Sequence, residues 1–348
     1  MFEIFGNLSL QENLFVFAIC ATGVWFAGAR LTYIADALAD RLKFAKSLMG
    51  LLVLSLATSL PEVATTLSAA VQQNRDLVLN NLFGGIALQT AILALADFWA
   101  RGAITNYPRK ANHALEAILL IVLLSITMVI LVLGEPLAND FMGMGSVLIA
   151  GAYAGAIWLL RKYDDASDWV PVDIPEVGDE EIARPLAITE ETATATLKIQ
   201  AGIACLAILI LGVALVNSAE TIAIQSGLGA GFIGVTLLAA ATSLPELTTS
   251  ITAARMGAYT MAISNIFGSN LIMLVLVLPA DLLYTSGPIL KDAGTTVLLS
   301  IGFGMLVTAI FLVGLIVRRK PRVGALGLDS VFVMVIFLIS IGAYYFAR

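Results

Sequence analysis

Long apolar runs alternate with short polar breaks from one end of the 348-residue chain to the other. A helix rising 1.5 Å per residue needs roughly 20 apolar residues to cross the hydrocarbon core of a bilayer. Ten runs approach that length, centred near Ala21, Leu60, Leu88, Leu123, Ile149, Ile208, Leu244, Met273, Leu306 and Phe337. The period-two alternation of a membrane barrel is missing, so the spans are predicted to be helices. One break is long. Arg161 to Lys198 is rich in carboxylates and prolines and too poor in apolar residues to bury a core, which predicts a flexible acidic linker over 161–198. It separates residues 1–160 from 199–348, with five spans on each side. The expected fold class is an all-α integral membrane protein of ten transmembrane helices.

The two halves are copies. Gly50 to Ala70, GLLVLSLATSLPEVATTLSAA, recurs as Gly234 to Ala254, GVTLLAAATSLPELTTSITAA, and the Thr-Ser-Leu-Pro-Glu at 58–62 reappears unchanged at 242–246, an offset of 184 residues. The same offset aligns Gly28 with Gly212, Asp36 with Glu220, Asn81 with Asn265, Phe83 with Phe267, Gly84 with Gly268 and Asp97 with Asp281.

Charge then gives the copies a direction. Short loops rich in Lys and Arg stay cytoplasmic, and the odd-numbered breaks hold fifteen such residues while the opposite side holds only Arg75, Lys291 and Arg348. Both termini are therefore expected outside and the linker inside. Five spans per half turn the second copy upside down relative to the first, the inverted-repeat plan in which substrate sites fall near the midplane on broken helices. Asn13 to Leu31 reads as a retained first span, because the N-terminus lacks the basic flank and cleavage site of a secretory signal. With 59% hydrophobic and 13% charged residues, the chain belongs in a lipid bilayer, and the net charge of −6 comes mostly from the linker. Nucleic acid is not an expected partner. Cys20 and Cys205 lie within apolar runs and are read as free thiols.

The chemistry sits in the repeated segment. Pro61 has no N–H for the carbonyl of Ala57, so the helix must bend there, and Pro245 does the same to Ala241. In lipid, a carbonyl so freed has to be satisfied by protein, water or an ion. Thr58, Ser59 and Glu62 fall three to four residues apart and converge on one face, as do Thr242, Ser243 and Glu246. The hydroxyls alone could be polar glue between helices. A carboxylate at the bilayer centre is different, costing about 2.5–3.5 kcal/mol on insertion scales and marking ion paths. All of these are hard oxygen donors, and calcium takes about six to eight of them, so two copies meeting at the axis could build a cation cage. In the following span, Asn81, Gly85 and Gln89 recur at intervals of four, with Asn265, Ser269 and Met273 as their counterparts; Gln89 is read as functional, while the glycines also fit plain close packing. Asp97 and Asp281, beside Trp99 and Tyr284, are expected to be interfacial, as are Asp36 and Glu220. His113, the single histidine, falls in a basic break and is expected to be solvated, leaving no histidine-based metal site or relay.

The paired TSLPE segments, each followed by NxFGx at matching distance, resemble the α-repeats of the calcium:cation antiporter superfamily, the sodium/calcium exchangers and their relatives. The specific motifs cover about residues 50–97 and 234–281. The resemblance implies ten helices in two inverted halves and calcium extrusion driven by sodium. It implies that Glu62 and Glu246 are central carboxylates shared by calcium and sodium, that Thr58 and Thr242 lend them oxygens, and that Ser59, Ser243 and Ser269 help line flanking sodium sites. The chain departs from that pattern at Gly85, where a serine is usual, and at Gln89 and Met273, where Asn or Asp is usual.

The reading that follows is a secondary active cation antiporter in the cell (inner) membrane, exchanging calcium for sodium by alternating access. It needs no cofactor, and a monomer is sufficient. A calcium/proton or a sodium/proton (potassium) exchanger is the alternative. A passive cation channel and a membrane-embedded enzyme are weaker rivals, since the sequence offers no nucleophile–base pairing and no HExxH.

Overall fold

The computed structural model describes residues 5–108, 111–135, 143–166, 188, 192–226, 239–318 and 321–347. Most of the expected 161–198 linker, and the first part of the span expected around Leu244, lie outside these residues. Among the described residues the regular structure is all helical apart from a short hairpin that pairs Arg322–Val323 with Leu326–Gly327. In chain order the helices are α1 (Leu10–Leu42), α2 (Lys46–Thr58), α3 (Leu60–Val71), α4 (Arg75–Ala96), α5 (Asn112–Leu133), α6 (Met144–Ala166), α7 (Thr194–Gln225), α8 (Leu244–Arg255), α9 (Tyr259–Val275), α10 (Val277–Leu283), α11 (Thr295–Val317) and α12 (Leu328–Phe346). Among the described residues, eight helical segments are long and apolar enough to cross a membrane, or nine if the bent pair α2–α3 is one span. Several outrun the apolar stretches that announce them. α1 has 33 residues, opened by a Ser9–Glu12 capping box, and α6 and α7 both reach into the 161–198 segment.

Burial sorts the helices. In α4 and in the continuous α9–α10 span, 67% and 72% of the most apolar stretch is buried, against 28% in α1 and in α7. α4 and α9 therefore form the centre, and α1 and α7 flank it as a pair. Polar bonds tie that pair near both ends: Asn13 Nδ2 donates to Gln225 Oε1 at 3.1 Å and Ser218 Oγ to the Asn13 carbonyl at 2.8 Å, while Arg30 donates to Gln200 Oε1 at 3.1 Å. With apolar side chains facing lipid elsewhere, such bonds have little competition from water.

The breaks occur where proline requires them. Between α2 and α3 the axis bends by 51°, and Ser59 at the junction leaves helical geometry (φ −81°, ψ 2°). Ser243 does the same before α8 (φ −88°, ψ 7°). Each proline then sits in the first turn of the next helix, where a missing N–H costs nothing. Upstream, Met49–Leu54 is wound as a π-helix, a widened turn frequent at functional sites. It lies against α9 so closely that a methyl group on Gly268 would collide with the Leu51 carbonyl and the Ser55 hydroxyl.

Asp97 and Asp281 are not exposed interfacial anchors; each is 1% exposed and gathers backbone N–H groups. Asp97 accepts from Ile104 N (2.7 Å) and Gly327 N (2.6 Å). Asp281 accepts from Ile289 N (2.7 Å), Gly143 N (2.9 Å) and the Ser146 hydroxyl (2.7 Å). Gly327 and Gly143 immediately precede α12 and α6 or its first turn, so each carboxylate also faces the positive end of a helix dipole. Asp36 likewise is buried, 2.7 Å from Lys46 Nζ.

The close approach at Gly268 yields a contrast between the two copies. Gly268→Ala is expected to destabilise the protein by about 1–3 kcal/mol through overpacking. Gly84→Ala, at the equivalent place in the first half, meets nothing within 4 Å and is expected to leave stability unchanged or slightly raised, alanine being the better helix former. Thermal unfolding of the purified protein in detergent, followed by tryptophan fluorescence, checks both.

Candidate cation site

The repeated turns bring Glu62 from the start of α3 and Glu246 from the start of α8 into the centre of the bundle, 3% and 0% exposed. The two carboxylates lie within electrostatic reach of each other. No Lys, Arg or His bonds to either among the described residues. What surrounds them is hydroxyl. Ser59 Oγ donates to Glu246 Oε1 at 3.2 Å, crossing from one half to the other, and Ser269 Oγ donates to the same oxygen at 3.4 Å. Thr58 Oγ1 lies 3.5 Å from Ser269 Oγ. Both oxygens of Glu62 and Oε2 of Glu246 are buried with no hydrogen-bond donor, and so is the side-chain oxygen of Gln89. A buried charged oxygen without a donor carries an uncompensated desolvation penalty of several kcal/mol.

The structure thus brings together Glu62, Glu246, Thr58, Ser59 and Ser269. Thr242 and Ser243 are buried in the second turn, 7% and 3% exposed; the Thr242 hydroxyl donates back to Ala239 O (3.1 Å), as Thr58 does to Ser55 O (3.1 Å), and Ser243 makes no bond to a glutamate among the described residues. Gln89 is buried on α4. Met273, on α9, is 1% exposed and offers a thioether in place of an oxygen.

A pair of matching clamps, whose asparagines but not whose threonines were singled out in the sequence, holds the glutamate-bearing turns. Thr65 Oγ1 donates to the Pro61 and Glu62 carbonyls, both at 3.0 Å, and Asn81 Nδ2 reaches Thr66 Oγ1 at 2.6 Å and Thr65 Oγ1 at 3.3 Å. In the second half Thr249 Oγ1 donates to the Pro245 carbonyl (2.9 Å) and the Glu246 carbonyl (3.1 Å), and Asn265 Nδ2 donates to Thr249 Oγ1 at 3.0 Å. The backbone just past each proline is thereby bonded by threonine, and asparagine fixes the threonine to the next helix. The recurrence of Thr65 as Thr249, together with Asn81 as Asn265, was the available signal. Asn265 goes further, its Oδ1 accepting from Thr58 at 3.5 Å across the centre.

His113 overturns its expected place. It is not solvated: at the start of α5 it is 3% exposed, and its Nδ1 lies 3.0 Å from Glu116 Oε2 and 3.1 Å from Ser264 Oγ. Neither Glu116 nor Ser264 stood out in the sequence.

Membrane-length helices around two buried carboxylates, shelled in hydroxyls and unneutralised by any basic side chain among the described residues, define a membrane carrier of cations. The family model for the sodium/calcium exchanger protein matches residues 12–161 and 199–346. The chain belongs to that family and is a multi-pass membrane cation antiporter. Similar proteins include the inner membrane protein YrbG of Escherichia coli (strain K12), 26% identical over 86% of this chain and 87% of YrbG. CaxA of Alkalimonas amylolytica is 26% identical over 80% of this chain and 83% of CaxA. The fold is that of the sodium-calcium exchanger NCX_Mj, whose structure after soaking with sodium and strontium aligns with a TM-score of 0.72 at 16% identity, covering 96% of this chain and 99% of that one.

If the two carboxylates are held for a ligand rather than for the fold, a neutral isostere relieves the ligand-free protein of a buried charge. Glu62→Gln and Glu246→Gln are each expected to unfold, in chelator, at a midpoint equal to or above that of the unsubstituted protein. A midpoint lower by more than about 2 °C, on the order of 1 kcal/mol for a chain of this length, would assign the carboxylates to structure instead.

Proposed function

We propose that the protein exchanges calcium for sodium across the cell membrane by alternating access, with Glu62 and Glu246 binding either one calcium or a compensating set of monovalent ions. The observation that carries this reading is the trio of buried, donorless carboxylate oxygens at the starts of the two helices that follow the breaks. Two formal negative charges match one divalent cation, and the ligands are hard oxygens of the kind calcium and sodium take. Thr58 and Ser59 add oxygens from the first half, Thr242 and Ser243 from the second, and Ser269 and Gln89 from the central helices. In this reading ten spans form two inverted five-helix repeats, both termini lie outside, and the acidic linker is cytoplasmic. The bonded pair α1 and α7, the first and sixth spans, slides past the core that holds the glutamates, and Gly212, packed against the Pro61 ring, lets α7 pass close to the first break.

The counter-ion is the point at which this chain favours a second reading. Gly85 supplies no side chain, and Met273 supplies a soft sulfur that hard cations bind poorly. Fewer monovalent ions then fit than in a three-sodium scheme, and exchange is electroneutral or coupled to protons or potassium.

The test is radioactive calcium uptake into proteoliposomes with sodium, potassium or proton gradients imposed one at a time. Uptake driven by sodium, and lost in Glu62→Gln and in Glu246→Gln, is expected; normal exchange by either variant would sink the assignment. A methyl group at Gly85 meets nothing within 4 Å, so the Cβ of Gly85→Ser enters open space. Combined with Met273→Asp it is expected to steepen the sodium dependence, read as the Hill slope with the membrane potential clamped by valinomycin. An unsubstituted protein that already moves net charge with a steep slope would mean that backbone carbonyls or water replace the missing oxygens.

A further inference from the structure

The one histidine of the chain lies outside the cation site and yet is buried. His113 and Glu116, on the first turn of α5, are 3% and 1% exposed, and Ser264 on α9 is fully buried. Ser264 Oγ donates to Glu116 Oε1 at 2.7 Å, and His113 Nδ1 lies 3.0 Å from Glu116 Oε2 and 3.1 Å from Ser264 Oγ. With the serine hydrogen committed to the carboxylate, both contacts of Nδ1 are satisfied only when Nδ1 carries a hydrogen. Nε2 is then the atom that takes up a further proton. This is not a hydrolytic triad, because such a relay needs serine and carboxylate on opposite ring nitrogens, and here one nitrogen faces both.

A proton added at Nε2 would raise the charge of this buried cluster by one unit. Imidazole is the side chain whose ordinary range spans neutral pH. α5 holds no ionisable group besides His113 and Glu116. The helices packed on it are α6, α9 and α11. By sequence they carry Tyr153, Arg161, Lys162, Tyr163, Asp164 and Asp165 on α6, Tyr259 on α9, and Arg318 just past α11. Arg318 is bonded to the carbonyls of Asn106 and Pro108, and Tyr259 to the Arg101 amide. The trio bridges the two halves and is not repeated: at the 184-residue offset His113 and Glu116 correspond to Val297 and Ser300, and Ser264 to Asn80.

We infer that His113, Glu116 and Ser264 form a proton-binding site whose occupancy is linked to that of the cation site. The link runs through α9. Ser264 adjoins Asn265, which bonds Thr249 beneath Glu246 and accepts from Thr58. α2 rests on the same spot: a methyl group on Gly50 would lie 3.1 Å from Ser264 Cβ and 2.6 Å from the Met261 carbonyl. A change of charge that moves Ser264 therefore moves both the Asn265 clamp and the helix that ends in Thr58. The linkage presupposes the cation site proposed above, and it makes the protein sensitive to pH through a group other than the glutamates.

Linkage is reciprocal: if the proton alters cation affinity, the cation alters the proton's affinity by the same factor. Because His113 is the single histidine, tag-free protein labelled with 15N-histidine in nanodiscs gives one imidazole signal that needs no assignment. Its titration is followed by NMR without added cation and with saturating calcium, sodium or potassium, and isothermal calorimetry on the same sample records whether each ion binds. The titration midpoint is expected to shift by about 0.7 pH unit or more with at least one ion, the fivefold linkage at the lower end of the usual range. Ser264→Ala, which separates His113 from α9, is expected to reduce that shift to less than half. A midpoint that stays put with all three ions overturns the inference. If calorimetry then shows binding, the cation site stands without it; if no ion binds, both fail. A full shift in Ser264→Ala overturns the route through α9. The comparison in unsubstituted protein decides the linkage even if the variant does not fold.

Discussion

Two carboxylates buried within reach of each other, in the middle of a bundle bathed in lipid, are the constraint to which the rest of the structure answers. Each is costly to ionise away from water, and each makes the other costlier. Glu246 meets this with two hydroxyls on one oxygen, while Glu62 has no donor on either. Such a pair must be held against its own repulsion by everything around it. The Asn81–Thr65 and Asn265–Thr249 clamps, the deep burial of α4 and α9, and the aspartates that tie the loops to the starts of α6 and α12 all serve that end. The proline breaks contribute twice. They place the carboxylates at the first turns of α3 and α8, where helix dipoles favour negative charge, and they free the serine before each proline from regular helix geometry, so that Ser59 can reach the glutamate of the other half.

Duplication sets up this arrangement, and the departures from it are informative. The clamp threonines and asparagines recur at one offset with nearly the same bonds, because they hold backbone that is bent in the same way twice. Elsewhere the copies diverge. Gly268 is jammed against α2, whereas Gly84 meets nothing within 4 Å. Asn265 spans the centre to Thr58, and Asn81 stays within its own half. In the alternating-access cycle proposed above, a carrier has two copies of the same parts in unlike surroundings at any moment, and differences of this kind are what that cycle requires.

Much of this was legible in the sequence. A proline and a carboxylate inside an apolar run announce a broken helix with a buried charge, and their exact recurrence announces two that meet. The bend at Ser59 and the burial of Glu62 and Glu246 followed directly. What escaped was set by residues distant in the chain. His113 follows a basic break, and nothing local shows that Ser264, 151 residues away, covers it. Asp97 and Asp281 sit beside aromatic residues at the ends of apolar runs, the usual mark of an interface, but their partners are amides in loops up to 230 residues away. Helix ends escaped for a different reason. Hydropathy marks the part of a helix that lipid touches, while α1, α6 and α7 continue past it on capping and backbone hydrogen bonds.

The same electrostatics bears on how an exchanger avoids leaking. In the proposed cycle the state that exposes the site to neither side is also the driest, so the repulsion between Glu62 and Glu246 is least screened there. With the site empty and both groups ionised, that state is strongly disfavoured; a divalent ion, or monovalent ions or protons of equal charge, removes the penalty. Crossing without cargo is then slow by an energetic rule rather than a mechanical latch, and the two fluxes are tied through one pair of side chains. The hydroxyl shell sharpens the rule, since Ser59 and Ser269 orient Glu246 without neutralising it. A lysine or arginine bonded to either glutamate would stabilise the empty protein, but it would also let it cross unloaded, and the described structure has none.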